Sequence, residues 1–157
     1  MRVLLFALLL ALAAPSTVLA ENVTPYSGTQ VIDTGKPFKP YVAALRDAIK
    51  ANGFNMVGLA CANCAIKSVF KETVPGNRVF LFFRPDYARR MLQSSTAAGI
   101  EAPIRVYVTE SAAGTATVTY RLPSHVFGAY EVADLTAMGM ELDAHVESIL
   151  TAAADAS

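Results

Sequence analysis

The sequence predicts an α+β domain: a mainly antiparallel sheet with long helices on one face. Three observations carry this. Residues 104–121 alternate polar and apolar side chains on both sides of a Gly-containing turn, as a hairpin does. Residues 78–83, RVFLFF, form the strongest strand pattern in the chain. The two long helical patterns, 41–51 and 131–153, stand toward the ends of the domain, with most of the strands between them.

The elements follow in order. Residues 21–26 read as a short lead and 26–32 as a first strand; Pro37 and Pro40 punctuate a turn. Apolar residues at 41, 42, 45 and 49, with Arg46, Asp47 and Lys50 between them, have the period of an amphipathic helix. Asn52-Gly53 ends that helix. Residues 54–60 (FNMVGLA) read as a strand, and 61–71 as a short helix with Ile66, Val69 and Phe70 on one side. After the Pro75-Gly76-Asn77 turn comes strand 78–83, expected to be central, and Pro85 opens a short helix through Gln93. Strands 104–110 and 115–121 form the hairpin. His125 follows in a loop. The last helix places Leu135, Met138, Leu142, Val146 and Ile149 on one stripe, with His145 at its edge. The first and last long helices are expected to cover one sheet face and leave the other open.

Residues 1–20 read as a secretory signal peptide. Arg2 precedes an apolar run of 12 residues, Val3 to Ala14, and small residues stand at the −3 and −1 positions before a cleavage point after Ala20. A membrane span needs roughly 20 apolar residues. Residues 21–37 then form the lead and first strand, and 38–153 the rest of a single domain, exported to the periplasm or secreted. Without Arg2 the chain has 12 basic and 13 acidic residues, a balance that gives neither nucleic acid nor an anionic membrane a reason to bind. The charges are unevenly placed. Six basic residues lie between Lys67 and Arg90, and six acidic residues with no Lys or Arg follow from Glu131. Two solvated faces account for this. So would an anion site on Arg84, Arg89 and Arg90, or charge complementarity between subunits.

Residues 78–123 resemble a known family. The stretch RVFLFFRP, then Met91-Leu92, APIRVYVTE and TVTYRLP, is similar to the domain-of-unknown-function family numbered 302 (DUF302). Ala102 to Val106, Glu110, Tyr120 and Pro123 follow the family pattern, and LRDAIKANGFNMV is similar to its first helix and second strand. The likeness covers residues 38–152. It implies a TBP-like β-α-β(4)-α topology with short extra helices, often as a homodimer, and implies no activity. The chain departs from the pattern at two places. Arg84, Arg89 and Arg90 fall in segments where the family has Gly-Asn-Pro and Gly-Thr, and Cys61-Ala62-Asn63-Cys64 stands where an Asp-His pair is frequent.

Cys61 and Cys64 are the only cysteines. In an exported protein an even count favours a disulfide. Two-residue spacing suits a redox pair or half of a metal site, and a bridge that closes so small a loop constrains little of the unfolded chain. A thiol at a helix N-terminus has its thiolate favoured by the dipole and the unpaired amides there, which makes Cys61 the better nucleophile. Copper or zinc would need ligands beyond the two thiolates: His145, His125, Met138 or Met140, or the same pair from a second copy. Haem attachment would lack the usual motif histidine, because residue 65 is Ala. No Gly-x-Ser-x-Gly, P-loop or His-Glu-x-x-His is present.

Three functions therefore stand. The first is a small exported binding or redox module, needing no cofactor, whose Cys61/Cys64 pair serves a periplasmic redox partner. The second is a metal or haem carrier using Cys61, Cys64 and His145. The third is a dimeric interaction protein with an inert disulfide. None calls for a classical enzyme.

Overall fold

The computed structural model describes residues 26–157; the expected signal peptide and most of the N-terminal lead lie outside the described residues. The chain folds as β1 (Thr29–Pro37), α1 (Phe38–Ala51), β2 (Asn55–Ala60), α2 (Ala62–Phe70), β3 (Asn77–Phe83), α3 (Pro85–Ser94), a 3-10 turn (Thr96–Glu101), β4 (Ile104–Glu110), β5 (Thr115–Arg121), α4 (Pro123–Gly128) and α5 (Ala133–Asp155). The five strands form one antiparallel sheet in the order β1-β5-β4-β3-β2. No helix among the described residues is long and apolar enough to cross a membrane.

Alternation decides which face of the sheet is covered. Phe80 and Phe82, Val106 and Val108, and Ala116 and Val118 point the same way, and none retains any solvent exposure. Against them lie α1, through Tyr41, Leu45 and Ile49, and α5, through Leu135, Met138, Val146 and Ile149. Each such side chain contributes roughly 1.5–3 kcal/mol of hydrophobic stabilisation. Asn52 caps the end of α1, and Gly53 makes the turn into β2 with φ +76°, where a side chain would be strained. The opposite face carries Val79, Leu81, Tyr107, Thr117 and Thr119, none fully buried, and the two long helices α1 and α5 both lie on the other side.

Four expectations need correction. β1 starts and ends later than expected, running on to Pro37, because an irregularity between Asp33 and Pro37 carries the chain past Gly35 while it stays paired to β5. β4, not β3, is the middle strand. β3 is apolar on both faces because Val79, Leu81 and Phe83 are half-buried on the open side. α1 begins at Phe38, so Pro40 lies in its first turn, where its missing N–H has no intrahelical partner to lose. Finally, His125 sits on α4, one short helix opened by Pro123, rather than in a loop. α4 packs so tightly on α5 that a Cβ at Gly139 would lie 2.8 Å from the Ser124 Cα.

Candidate functional site

β2 delivers the chain to Cys61, which caps the N-terminus of α2. Its sulfur accepts the Cys64 backbone N–H at 3.2 Å, and the two sulfurs are at disulfide distance, with Cα atoms 5.3 Å apart. Cys64 is exposed and Cys61 half-buried.

Two asparagines lock this corner. The Asn77 side-chain oxygen, from the start of β3, accepts the Ala62 and Asn63 backbone N–H groups at 3.0 and 3.4 Å. It thus supplies partners to amides that a helix leaves unpaired at its N-terminus. In return the Asn63 Oδ1 accepts from the Asn77 N–H at 3.3 Å and from Arg78 Nη1 at 2.6 Å. That same Oδ1 lies 3.1 Å from the Cys61 sulfur. A guanidinium charge therefore stands one residue removed from the sulfur, held in place by the Asn77 carbonyl and by the Phe38 ring, 5.8 Å from its carbon. Arg78, Asn63 and Asn77 were missed in the sequence reading. Their only trace there is that one short helix and a turn separate the pair from the first residues of the strongest strand.

Nothing in α2 is buried. Val69 and Phe70 retain 68% and 66% of their exposure, which leaves an apolar helix face without a partner beside the cysteines. The helix ends at Lys71 in the left-handed conformation, φ 60°.

The three arginines expected to form an anion patch are placed differently from one another. Arg84 holds Asp86 at 2.8 and 3.0 Å and lies over the rings of Phe54 and Tyr87. Arg90 contacts both carboxylate oxygens of Glu141, at 2.9 and 2.8 Å. Those hydrogen bonds hold the Asp86 and Glu141 carboxyls below the usual carboxylate range. Arg89 is exposed and forms no ion pair among the described residues. The basic stretch and the acidic last helix thus meet within one chain, through Arg90 and Glu141.

His145 is half-buried against Phe54 and Tyr87, with ring centroids 5.7 and 5.8 Å away. Phe54 precedes β2 and Cys61 follows it, so His145 and the cysteines lie at opposite ends of a strand ~20 Å long. The structure does not bring them together, and the described residues hold no group of three or more His, Cys, Asp or Glu placed to bind a metal. Met138 is buried in the core, whereas Met140 is exposed on another side of α5.

The fold has a solved counterpart. The crystal structure of an uncharacterized conserved DUF302 protein from Bacillus stearothermophilus superposes with a TM-score of 0.71 at 14% identity, over 81% of this chain and 98% of that one. No curated protein matches. A family model, Domain of unknown function DUF302, matches residues 30–153, from the first strand almost to the end of the last helix. The chain belongs to the DUF302 family.

Proposed function

We propose that the protein is a small exported redox module whose Cys61–Cys64 pair cycles between disulfide and dithiol. The observation that carries this reading is the position of the Cys61 sulfur. It sits at the N-terminus of α2, accepts an amide N–H, and has the Asn63–Arg78 link beside it. The helix N-terminus, the amide N–H and the Arg78 charge favour a thiolate over a thiol, whereas the Asn63 Oδ1, an acceptor 3.1 Å from the sulfur, favours a protonated Cys61. In the dithiol form, the Cys61 thiolate attacks a partner's disulfide. A mixed disulfide forms and one partner thiolate leaves. Cys64, once deprotonated, then attacks the Cys61 sulfur, restores the Cys61–Cys64 bridge and releases the second partner thiol. Two electrons pass to the partner, and a dithiol donor reverses the sequence. The apolar face of Ile66, Val69 and Phe70 gives a partner protein a surface beside the exposed Cys64.

A redox titration of the mature chain against glutathione buffers tests the reading. A potential above roughly −300 mV is expected, because structural disulfides of secreted proteins lie below it. A value below that range, with Cys64 unreactive in the native state, would leave a quiet staple instead. The native mass, with and without reductant, separates the rivals. Added copper, zinc or haem in the purified protein would favour the carrier.

A further inference from the structure

The open face of the sheet carries a cleft of about 440 Å³ that no motif announces. Its back wall is one row of neighbouring strands. Antiparallel pairing sets Thr29 of β1 opposite Arg121 of β5, and Leu81 of β3 opposite Arg105 of β4. One step beyond the Val106–Tyr120 pair, the same register sets Arg105 opposite Arg121. Like charges placed directly across a strand pair repel. Neither guanidinium is neutralised by an ion pair among the described residues. Beside Arg121, the Thr29 hydroxyl is shut from solvent and has no hydrogen-bond partner among the described residues. Two unneutralised cations in one row suit an anion with several acceptor oxygens.

The remaining walls say what that anion is attached to. Pro103, Ile104, Val126 and Phe127 make an apolar side, and Ile100, 81% exposed, stands at the rim. Tyr107 faces the cleft from the next row, and the Tyr26 ring lies 4.6 Å from the Arg121 guanidinium carbon. The one carboxylate among the described lining residues, Glu101, accepts a hydrogen bond from the Tyr130 hydroxyl at 3.1 Å and belongs to the 3-10 turn rather than to the arginine row. The geometry points to a binding site for a small organic anion: a carboxylate on Arg105 and Arg121, with a flat apolar body between the tyrosines and the apolar side. The volume falls in the range of small-molecule pockets. No lining residue belongs to β2 or α2, so this assignment stands independently of the redox reading.

Titrating the mature chain with 2-naphthoate, and with 2-naphthylmethanol as its uncharged counterpart, tests the site. One naphthoate is expected to bind per chain, and the alcohol roughly tenfold or more weakly. Arg105→Gln and Arg121→Gln are each expected to weaken naphthoate by a similar factor, while Arg46→Gln on α1 leaves it unchanged. Both cleft variants are also expected to melt no lower than the parent, since each removes one of two repelling charges. The assignment is overturned if naphthoate does not bind or binds no better than the alcohol. It is equally overturned if the arginine variants bind like the parent, or if they lower Tm, which would make the pair a support of the fold.

Discussion

α2 and α5 both show apolar residues at helical spacing, yet they are held in opposite ways. α5 buries eight residues, among them Leu135, Val146 and Ile149, against the sheet and α1. α2 buries none and is fastened at its N-terminus by backbone N–H groups that donate to the side chains of Cys61, Asn63 and Asn77. A helix held by packing opens only when the core opens. A helix held by a few polar contacts can loosen alone, because local opening costs less where little apolar area is buried. The cysteines sit on the second kind, so chemistry at α2 does not require disturbing the first.

The largest test of that contrast is at the packed end. Ile149→Ala removes a side chain with no exposure, and is expected to cost about 2–5 kcal/mol in urea unfolding. A cost near zero would mean that α5 is not the anchor of the core. The next effect is a dependence on pH. Burial on α1 pushes the Tyr41 hydroxyl up to about 12 from its ordinary 10.0, because the phenolate is poorly solvated there. The folded chain therefore holds this proton more tightly than the unfolded chain. The associated stability is complete below pH 10 and is lost as pH rises toward about 12, by up to about 3 kcal/mol. Tyr41→Phe should flatten that slope, and an unchanged slope would assign it to other groups. The smallest effect is at the polar end. Asn77→Ala leaves the Ala62 and Asn63 amides without their partner and is expected to cost about 1 kcal/mol. Hydrogen exchange should show it as faster exchange confined to α2. Equal acceleration in α5 would erase the distinction between the two helices.

Much of the packed half was legible in the sequence. The stripe from Leu135 to Ile149 and the alternation in β4 and β5 are periodic, and periodicity reports a buried face directly. α4 was not legible, because six residues are too few to show a period and Pro123 reads equally well as a loop. The site was legible only in its cysteines. Asn77 and Arg78 reach them because β3 pairs with β2, and the spacing of residues does not disclose that register. The basic stretch shows the same limit. Arg90 finds Glu141 across 51 positions, so a charge that looks free along the chain is paired in space. Arg105 and Arg121 escaped notice entirely, since they become neighbours only once the hairpin is closed in register.

The tight seat of Gly139 has a consequence for the arginine cleft, because Pro123, whose carbonyl it faces, lines that cleft. The missing side chain lets α4 settle against α5. α4 also carries Val126 and Phe127, which wall the arginine cleft. The thickness of one residue on the last helix therefore acts as a shim. Alanine there would push α4 outward and change the gauge of an opening that Gly139 itself does not line.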